Sequence, residues 1–316
     1  MPTIAFLYPG QGSQRVGMGA ELLESHPDVY SRYLGAADAA AGKPVRSLSL
    51  DGPIEALTST DVAQPALCAL SLALTEIAAE AGLRPDFVAG HSLGEYTAAI
   101  AAGVLSYAEG IRLVAERGRQ MAGIQAERPG AMAAVMGLAA DALIAVCERA
   151  SAEGLVTVAN LNTPDQVVIS GEAAGVEAAG RLAKEAGAGR VIPLQVGAAF
   201  HSPLMAPVQE RLRPALDACT WRDPRVPLAA NASGRMLRTA GEVKQGLIDQ
   251  IASTVRWVEC VQALAGAGCD LFVEIGPGRV LSGLVRQIVP GAKTVAADNA
   301  AKIDALLEAE TGARRT

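Results

Sequence analysis

The stretch Gly90-His91-Ser92-Leu93-Gly94 constrains this chain more than any other. It fits G-x-S-x-G. Apolar Phe87-Val88-Ala89 runs into it, and a helix-forming run from Glu95 to Ala102 leaves it. A strand that becomes a helix within so few residues puts the serine on a sharp, strained bend, which the flanking glycines permit. The Ser92 Oγ then stands clear of the sheet. The N–H of Leu93 opens a helix, where a developing oxyanion is stabilised. The stretch predicts an α/β fold with chemistry through an acyl-serine.

Composition narrows the classes. The chain has 316 residues, about two domains' worth, and 50% of them are hydrophobic. Aromatics are only 3%, so the core must be built from Ala, Val, Leu and Ile. A net charge of −6 argues against a nucleic-acid binder. The five cysteines (Cys68, Cys147, Cys219, Cys260, Cys269) lack C-x-x-C spacing and are expected to be small buried hydrophobes, not a disulfide framework or a zinc site. No basic n-region precedes the first apolar run, so no signal peptide is expected. The apolar stretch from Pro65 to Ala79 is interrupted by Glu76 and is expected to be too short to span a bilayer, which needs about 20 residues. A cytoplasmic protein, not membrane-bound, follows.

The order of elements points to a parallel, doubly wound sheet. Ile4 to Tyr8 is a strand followed by the loop Pro9-Gly10-Gln11-Gly12-Ser13-Gln14. A helix is expected over Pro65 to Ala81, and Ser106-Tyr107-Ala108-Glu109 is a capping box opening a helix to about Gln125. The pattern then changes. Strands are expected over 131–138, 156–159, 166–170 and 190–194, with helices over 141–153 and 173–186, and a turn at Asn162-Thr163-Pro164-Asp165. That βαββαβ order is the ferredoxin-like unit. The expected fold is therefore an α/β-hydrolase-like parallel-sheet core, residues 1–125 and 199–316, with an inserted ferredoxin-like small subdomain, 126–198. In the returning part, helices are expected over 203–217, 241–253 and 280–289, strands over 228–231, 271–275 and 294–297, and a frayed tail over 311–316.

A serine nucleophile needs a base, and the chain has three histidines. His91 adjoins Ser92, so its side chain leaves the elbow in another direction and is placed in the substrate pocket. His26, before Pro27, is expected to be an exposed helix-end residue. His201, in a loop between the small subdomain and a helix, is the candidate base. Asp165 lies between serine and histidine in the chain, but a hairpin turn explains it better. Arg117 falls on the apolar flank of the helix from Ser106 when residues are placed 100° apart. It either pairs with a buried acid, snorkels, or captures a substrate carboxylate. The loop Gly10-Gln11-Gly12 lacks the Gly-Lys-Ser/Thr of a phosphate-binding loop and has Arg15 where a dinucleotide fingerprint needs its third glycine. It fits a second oxyanion donor or a plain turn.

These residues resemble the malonyl-CoA:acyl carrier protein transacylases and the acyltransferase domains of polyketide and fatty acid synthases. The resemblance runs from about Ile4 to Ala297, through Pro9–Gln14, Gly90–Glu95, Arg117-Gly118-Arg119-Gln120-Met121, Asn160–Gly171, Ala199–Met205 and Glu274–Gly278. It implies that Ser92 is acylated and His201 is the base. The N–H groups of Gln11 and Leu93 form the oxyanion hole, and Arg117 holds the malonyl carboxylate. It also implies that a main-chain carbonyl near Gln250 orients the histidine, and that Phe200 restricts the pocket to malonyl. Thr254 stands where many members have proline. The implied partners are malonyl-CoA and an acyl carrier protein, with no metal or redox cofactor, and a monomer is expected. A basic set, Arg181, Lys184, Arg190, Arg279 and Arg286, is expected to flank the mouth and meet the acidic carrier. A trans-acting polyketide acyltransferase or a malonate decarboxylase subunit would use the same loading residues. A serine esterase or thioesterase would share the elbow without needing Arg117, and a non-catalytic carrier-binding module would need neither nucleophile nor base.

Overall fold

The computed structural model describes residues 2–312. Its larger sheet is built from β1 (Ile4–Tyr8), β2 (Phe87–Gly90), β7 (Leu228–Ala229), β8 (Met236–Leu237), β9 (Leu271–Ile275) and β10 (Lys293–Ala297), in the order β10-β9-β1-β2-β7-β8. All neighbours are parallel except the β7–β8 pair. β1 is buried along its whole length, as an unbroken apolar run in a parallel sheet should be. Its side chains alternate between two cores. Phe6 and Tyr8 face helices 27–41, 60–80 and 107–127, while Ala5 and Leu7 face Trp257, Val261 and Leu284 of helices 257–266 and 280–288.

The second sheet holds β3 (Ala131–Met136), β4 (Val156–Thr163), β5 (Gln166–Gly171) and β6 (Arg190–Pro193), in the order β4-β5-β3-β6, all antiparallel. With helices 140–150 and 173–185 it forms the ferredoxin-like βαββαβ unit. Ala133, Val135, Val158 and Ile169 pack with Leu143 and Val176 into a core of their own, while Met132, Ala134 and Val168 on the opposite face join the main core. The β4 backbone is tied to the larger unit through Leu161 N–H to the Val255 carbonyl (2.9 Å) and Val255 N–H to the Ala159 carbonyl (2.8 Å).

Several boundaries differ from those expected. The helix expected from Pro65 begins at Thr60 and runs to Glu80. Its extra turn is held by packing: a Cβ at Gly118 of helix 107–127 would lie 3.0 Å from the Thr60 carbonyl oxygen. Pro65 removes one hydrogen bond within this helix, which nevertheless continues through it. The longer helix is apolar enough to cross a membrane by length and composition, but 83% of its apolar window is buried as a core element. β4 continues through Asn162 and Thr163, so the turn tightens to Pro164-Asp165 and Asn162 becomes a strand residue. Helix 240–249 stops at Gln250 instead of reaching Ser253, and the strand expected over 228–231 keeps only Leu228 and Ala229. Glu109 forms half of the expected capping box. Its N–H reaches Ser106 Oγ, but its carboxylate takes the Ser106 hydroxyl and the Thr220 N–H. His26 sits half-buried at the junction of helices 20–25 and 27–41. Helix 300–312 includes Thr311 and Gly312, where a frayed tail was expected; residues 313–316 lie outside the described residues.

Candidate active site

The elbow's glycines serve close approach. A Cβ at Gly90 would sit 1.9 Å from the Gly94 carbonyl carbon, and one at Gly94 would sit 1.9 Å from the Tyr8 carbonyl oxygen. The strained backbone falls on Ser92 itself, with φ 52° and ψ −107°. Among the described residues, Ser92 and His201 are the only non-glycine residues with positive φ. Such conformations persist only where the surroundings hold them. Asn231 does so for Ser92: its Oδ1 accepts the Ser92 N–H (2.8 Å) and its Nδ2 donates to the Gly90 carbonyl (2.8 Å).

Ser92 Oγ and His201 Nε2 are 2.7 Å apart. His201 Nδ1 lies 2.8 Å from the Gln250 carbonyl oxygen. A carbonyl can only accept, so the ring proton sits on Nδ1 and the Nε2 lone pair faces the serine hydroxyl. Burial, and then the positive charge of Arg117, push His201 down to about 3. The imidazole is therefore neutral and able to take a proton. Asp165 stays in the β4–β5 turn. The early stop of helix 240–249 is what brings the Gln250 carbonyl into its place.

Arg117 is fully buried. Its Nη1 donates to Gln64 Oε1 (2.8 Å), and its Nη2 donates to Gln250 Oε1 (2.8 Å) and Ser92 Oγ (3.1 Å). Its guanidinium carbon lies 4.9 Å over the Tyr96 ring. Among the described residues no carboxylate comes within 4.0 Å of it. A buried guanidinium remains charged, and Arg117 has no carboxylate in direct contact; the buried Glu95 reaches it only through the Gln250 amide. Of the readings open from the sequence, a directly paired acid and a snorkelling side chain do not describe Arg117.

A cleft of about 510 Å³ lies over these residues, between the two sheets. Gln11, Leu93, Phe200 and His91 line it with Ser92, Arg117 and His201. Leu93 is the first residue of helix 93–101, so its N–H has no intrahelical partner. Gly10 brings the Gln11 loop against the elbow: a Cβ there would be 2.5 Å from the His91 carbonyl oxygen. The His91 ring turns away from Ser92, with Nε2 2.9 Å from Asn162 Oδ1 and its edge toward Trp257. Burial holds it low, so it too is neutral.

No group of three or more His, Cys, Asp or Glu among the described residues is placed to hold a metal. Cys68, Cys147 and Cys260 are buried and Cys219 and Cys269 half-buried, and burial pushes their thiols up. Sequence reasoning missed Gln64, Glu95, Asn162 and Asn231. Glu95 and Asn162 lie inside stretches singled out from the sequence but are given no role at the site there, while Gln64 and Asn231 leave no local signal.

The chain matches the family described as "Acyl transferase domain" over residues 5–304. It is 46% identical to the malonyl CoA-acyl carrier protein transacylase of Bacillus subtilis (strain 168), across 98% of this chain and 97% of that protein. The crystal structure of the malonyl-CoA:acyl carrier protein transacylase of Xanthomonas oryzae superposes with a TM-score of 0.93 at 40% identity, covering 98% of both chains. A malonyl-transacylase solved in complex with its type II polyketide synthase acyl carrier protein superposes at 0.92, with 37% identity, over 97% of this chain and 99% of that one.

Proposed function

The chain belongs to the acyl transferase domain family, and we propose that it moves a malonyl group from malonyl-CoA to the phosphopantetheine thiol of an acyl carrier protein through a malonyl-Ser92 intermediate. The observation that carries this reading is Arg117: a buried cation without an ion-pair partner, 3.1 Å from the Ser92 hydroxyl oxygen. A hydrolase of neutral esters has no use for it, whereas a malonyl thioester brings a free carboxylate to that place.

In the loading step, Ser92 Oγ bonds to the thioester carbonyl carbon while His201 Nε2 takes the hydroxyl proton. The N–H groups of Gln11 and Leu93 receive the oxyanion. Collapse breaks the C–S bond, and CoA leaves as the thiol with the proton from His201. In the second step the carrier thiol gives its proton to His201, its sulfur attacks the malonyl ester, and Ser92 Oγ leaves and regains the proton. Thioester exchange is redox-neutral, so the proposal needs no cofactor. Malonyl-CoA and pantetheinylated carrier, mixed with the protein, should give malonyl-carrier measurable by mass. Release of free malonate instead, with no acylated carrier, would support an esterase.

The same reading treats residues 1–125 and 199–316 as the large unit and 126–198 as the small one, supported by their separate sheets and by the core of its own that the small sheet forms on one face. A monomer in the cytoplasm belongs to it as well. A polyketide carrier is the second reading, favoured by the likeness to a transacylase bound to such a partner.

Phe200 is buried beside His201 and lines the cleft. Phe200→Ser is expected to shift preference toward methylmalonyl-CoA by about 1–3 kcal/mol, the worth of one methyl group in a pocket. Competition between the two thioesters for Ser92 measures it, and an unchanged ratio would place Phe200 outside the selectivity pocket.

The carrier must be steered by local charge, since the chain is net negative. Arg181 contributes little, because Glu153 and Glu177 pair with it. Arg279 adjoins Val280, which lines the cleft, and β6, carrying Arg190, leads into Leu194 on the opposite lining. Reversing Lys184, Arg190, Arg279 and Arg286 together should raise KM for the carrier and flatten its salt dependence while leaving loading from malonyl-CoA intact. Equal loss in both half-reactions would contradict carrier docking there.

A further inference from the structure

Glu95, in the first turn of helix 93–101, is fully buried, yet no step above uses it. Its Oε2 accepts from Gln250 Nε2 at 2.7 Å, and its Oε1 is buried without a hydrogen-bond partner. A carboxyl in such a place is costly unless it does something for its neighbours. Gln250 Nε2 also donates to the Ser92 carbonyl (2.9 Å), and Gln250 Oε1 accepts from Arg117 Nη2 (2.8 Å). The Gln250 amide therefore spans a carboxyl and a guanidinium, oxygen toward the cation and nitrogen toward the acid. A flipped amide would turn its oxygen on Glu95 and its NH₂ on Arg117, losing both contacts.

We infer that Glu95 is a positioning residue for substrate selection: by fixing the polarity of the Gln250 side-chain amide, it aims the Arg117 Nη2 at the place a substrate carboxylate must occupy. Burial pushes the Glu95 carboxyl up to about 7, opposed by its bond to Gln250, by the Asn231 backbone N–H and by the Arg117 charge. The His201 ring depends on the Gln250 main-chain carbonyl, a separate contact that does not need the side-chain amide. Glu95 therefore governs which acyl group is accepted, not whether Ser92 is activated.

The inference rests on the malonyl-loading reading, and the test separates the two. Wild type, Glu95→Ala, Glu95→Leu and Glu95→Gln are each mixed with equal malonyl-CoA and acetyl-CoA, and the two Ser92 adducts are counted by intact mass, with thermal melts to verify folding. The malonyl-to-acetyl ratio is expected to fall about tenfold or more in Glu95→Ala, the scale of losing a hydrogen bond to a charged group, while acetyl loading persists. Glu95→Leu fills the space without an acceptor, should show the same fall, and stands in if the alanine variant does not fold. Glu95→Gln retains an oxygen facing Gln250 Nε2 and should restore the ratio to within about threefold of wild type, as a rescued contact of this kind requires. If wild type loads malonyl but the variants keep its ratio, or lose both adducts equally, Glu95 has no role in selection. If wild type takes no malonyl group, the loading reading itself fails.

Discussion

His201→Ala is expected to slow acylation of Ser92 by about 10²–10⁴-fold, the usual worth of a positioned general base. The geometry leaves no substitute. His201 Nε2 is 2.7 Å from Ser92 Oγ, while His91 Nε2 is engaged with Asn162. Burial and the nearby Arg117 keep the His201 ring neutral, so it needs no deprotonation before it acts. Quenched-flow mass spectrometry of the loading step measures the effect. A loss below about tenfold, outside the range expected of a general base, would mean that another group takes the proton.

Arg117→Ala is expected to cost malonyl transfer about 2–4 kcal/mol more than acetyl transfer, the scale for truncating one partner of a buried, hydrogen-bonded charge pair. Arg117 keeps both terminal nitrogens on neutral oxygens, those of Gln64, Gln250 and Ser92, so an entering carboxylate finds no other anion in direct contact with the guanidinium. Acetyl has no such group to lose. The substitution also removes a positive charge that depresses His201, so the imidazole should move back up toward its usual range. Parallel kinetics with the two thioesters decide the matter: equal losses would make Arg117 a purely structural residue.

What could be read from the chain alone follows physical locality. The elbow is legible because its strand, turn and helix are contiguous and its glycines mark close backbone approach. Arg117 is legible because a charge on an apolar helix flank breaks a 3.6-residue pattern. The βαββαβ order is legible because each element carries its own periodicity. By contrast, Asn231 stabilises Ser92 across 139 residues of chain, and Gln250 reaches the Ser92 carbonyl across 158. An amide's partners at such distances leave no mark on local spacing. The helices 20–25, 27–41, 45–51 and 54–58 went unread for a different reason. Three of them are only 6, 7 and 5 residues long, shorter than a helical pattern needs, and packing on the main core supplies what propensity does not. The first turn of helix 60–80 was hidden by Pro65, which reads locally as a helix start.

The central claim is that the group being moved passes through Ser92. Intact-mass measurement after mixing with malonyl-CoA, followed by peptide mapping, tests it most directly. The account predicts a single malonyl adduct on the peptide carrying Ser92, discharged when pantetheinylated carrier is added, and no adduct on Ser92→Ala. A malonyl adduct that persists in Ser92→Ala, or one that maps to another residue in the wild type, would contradict it.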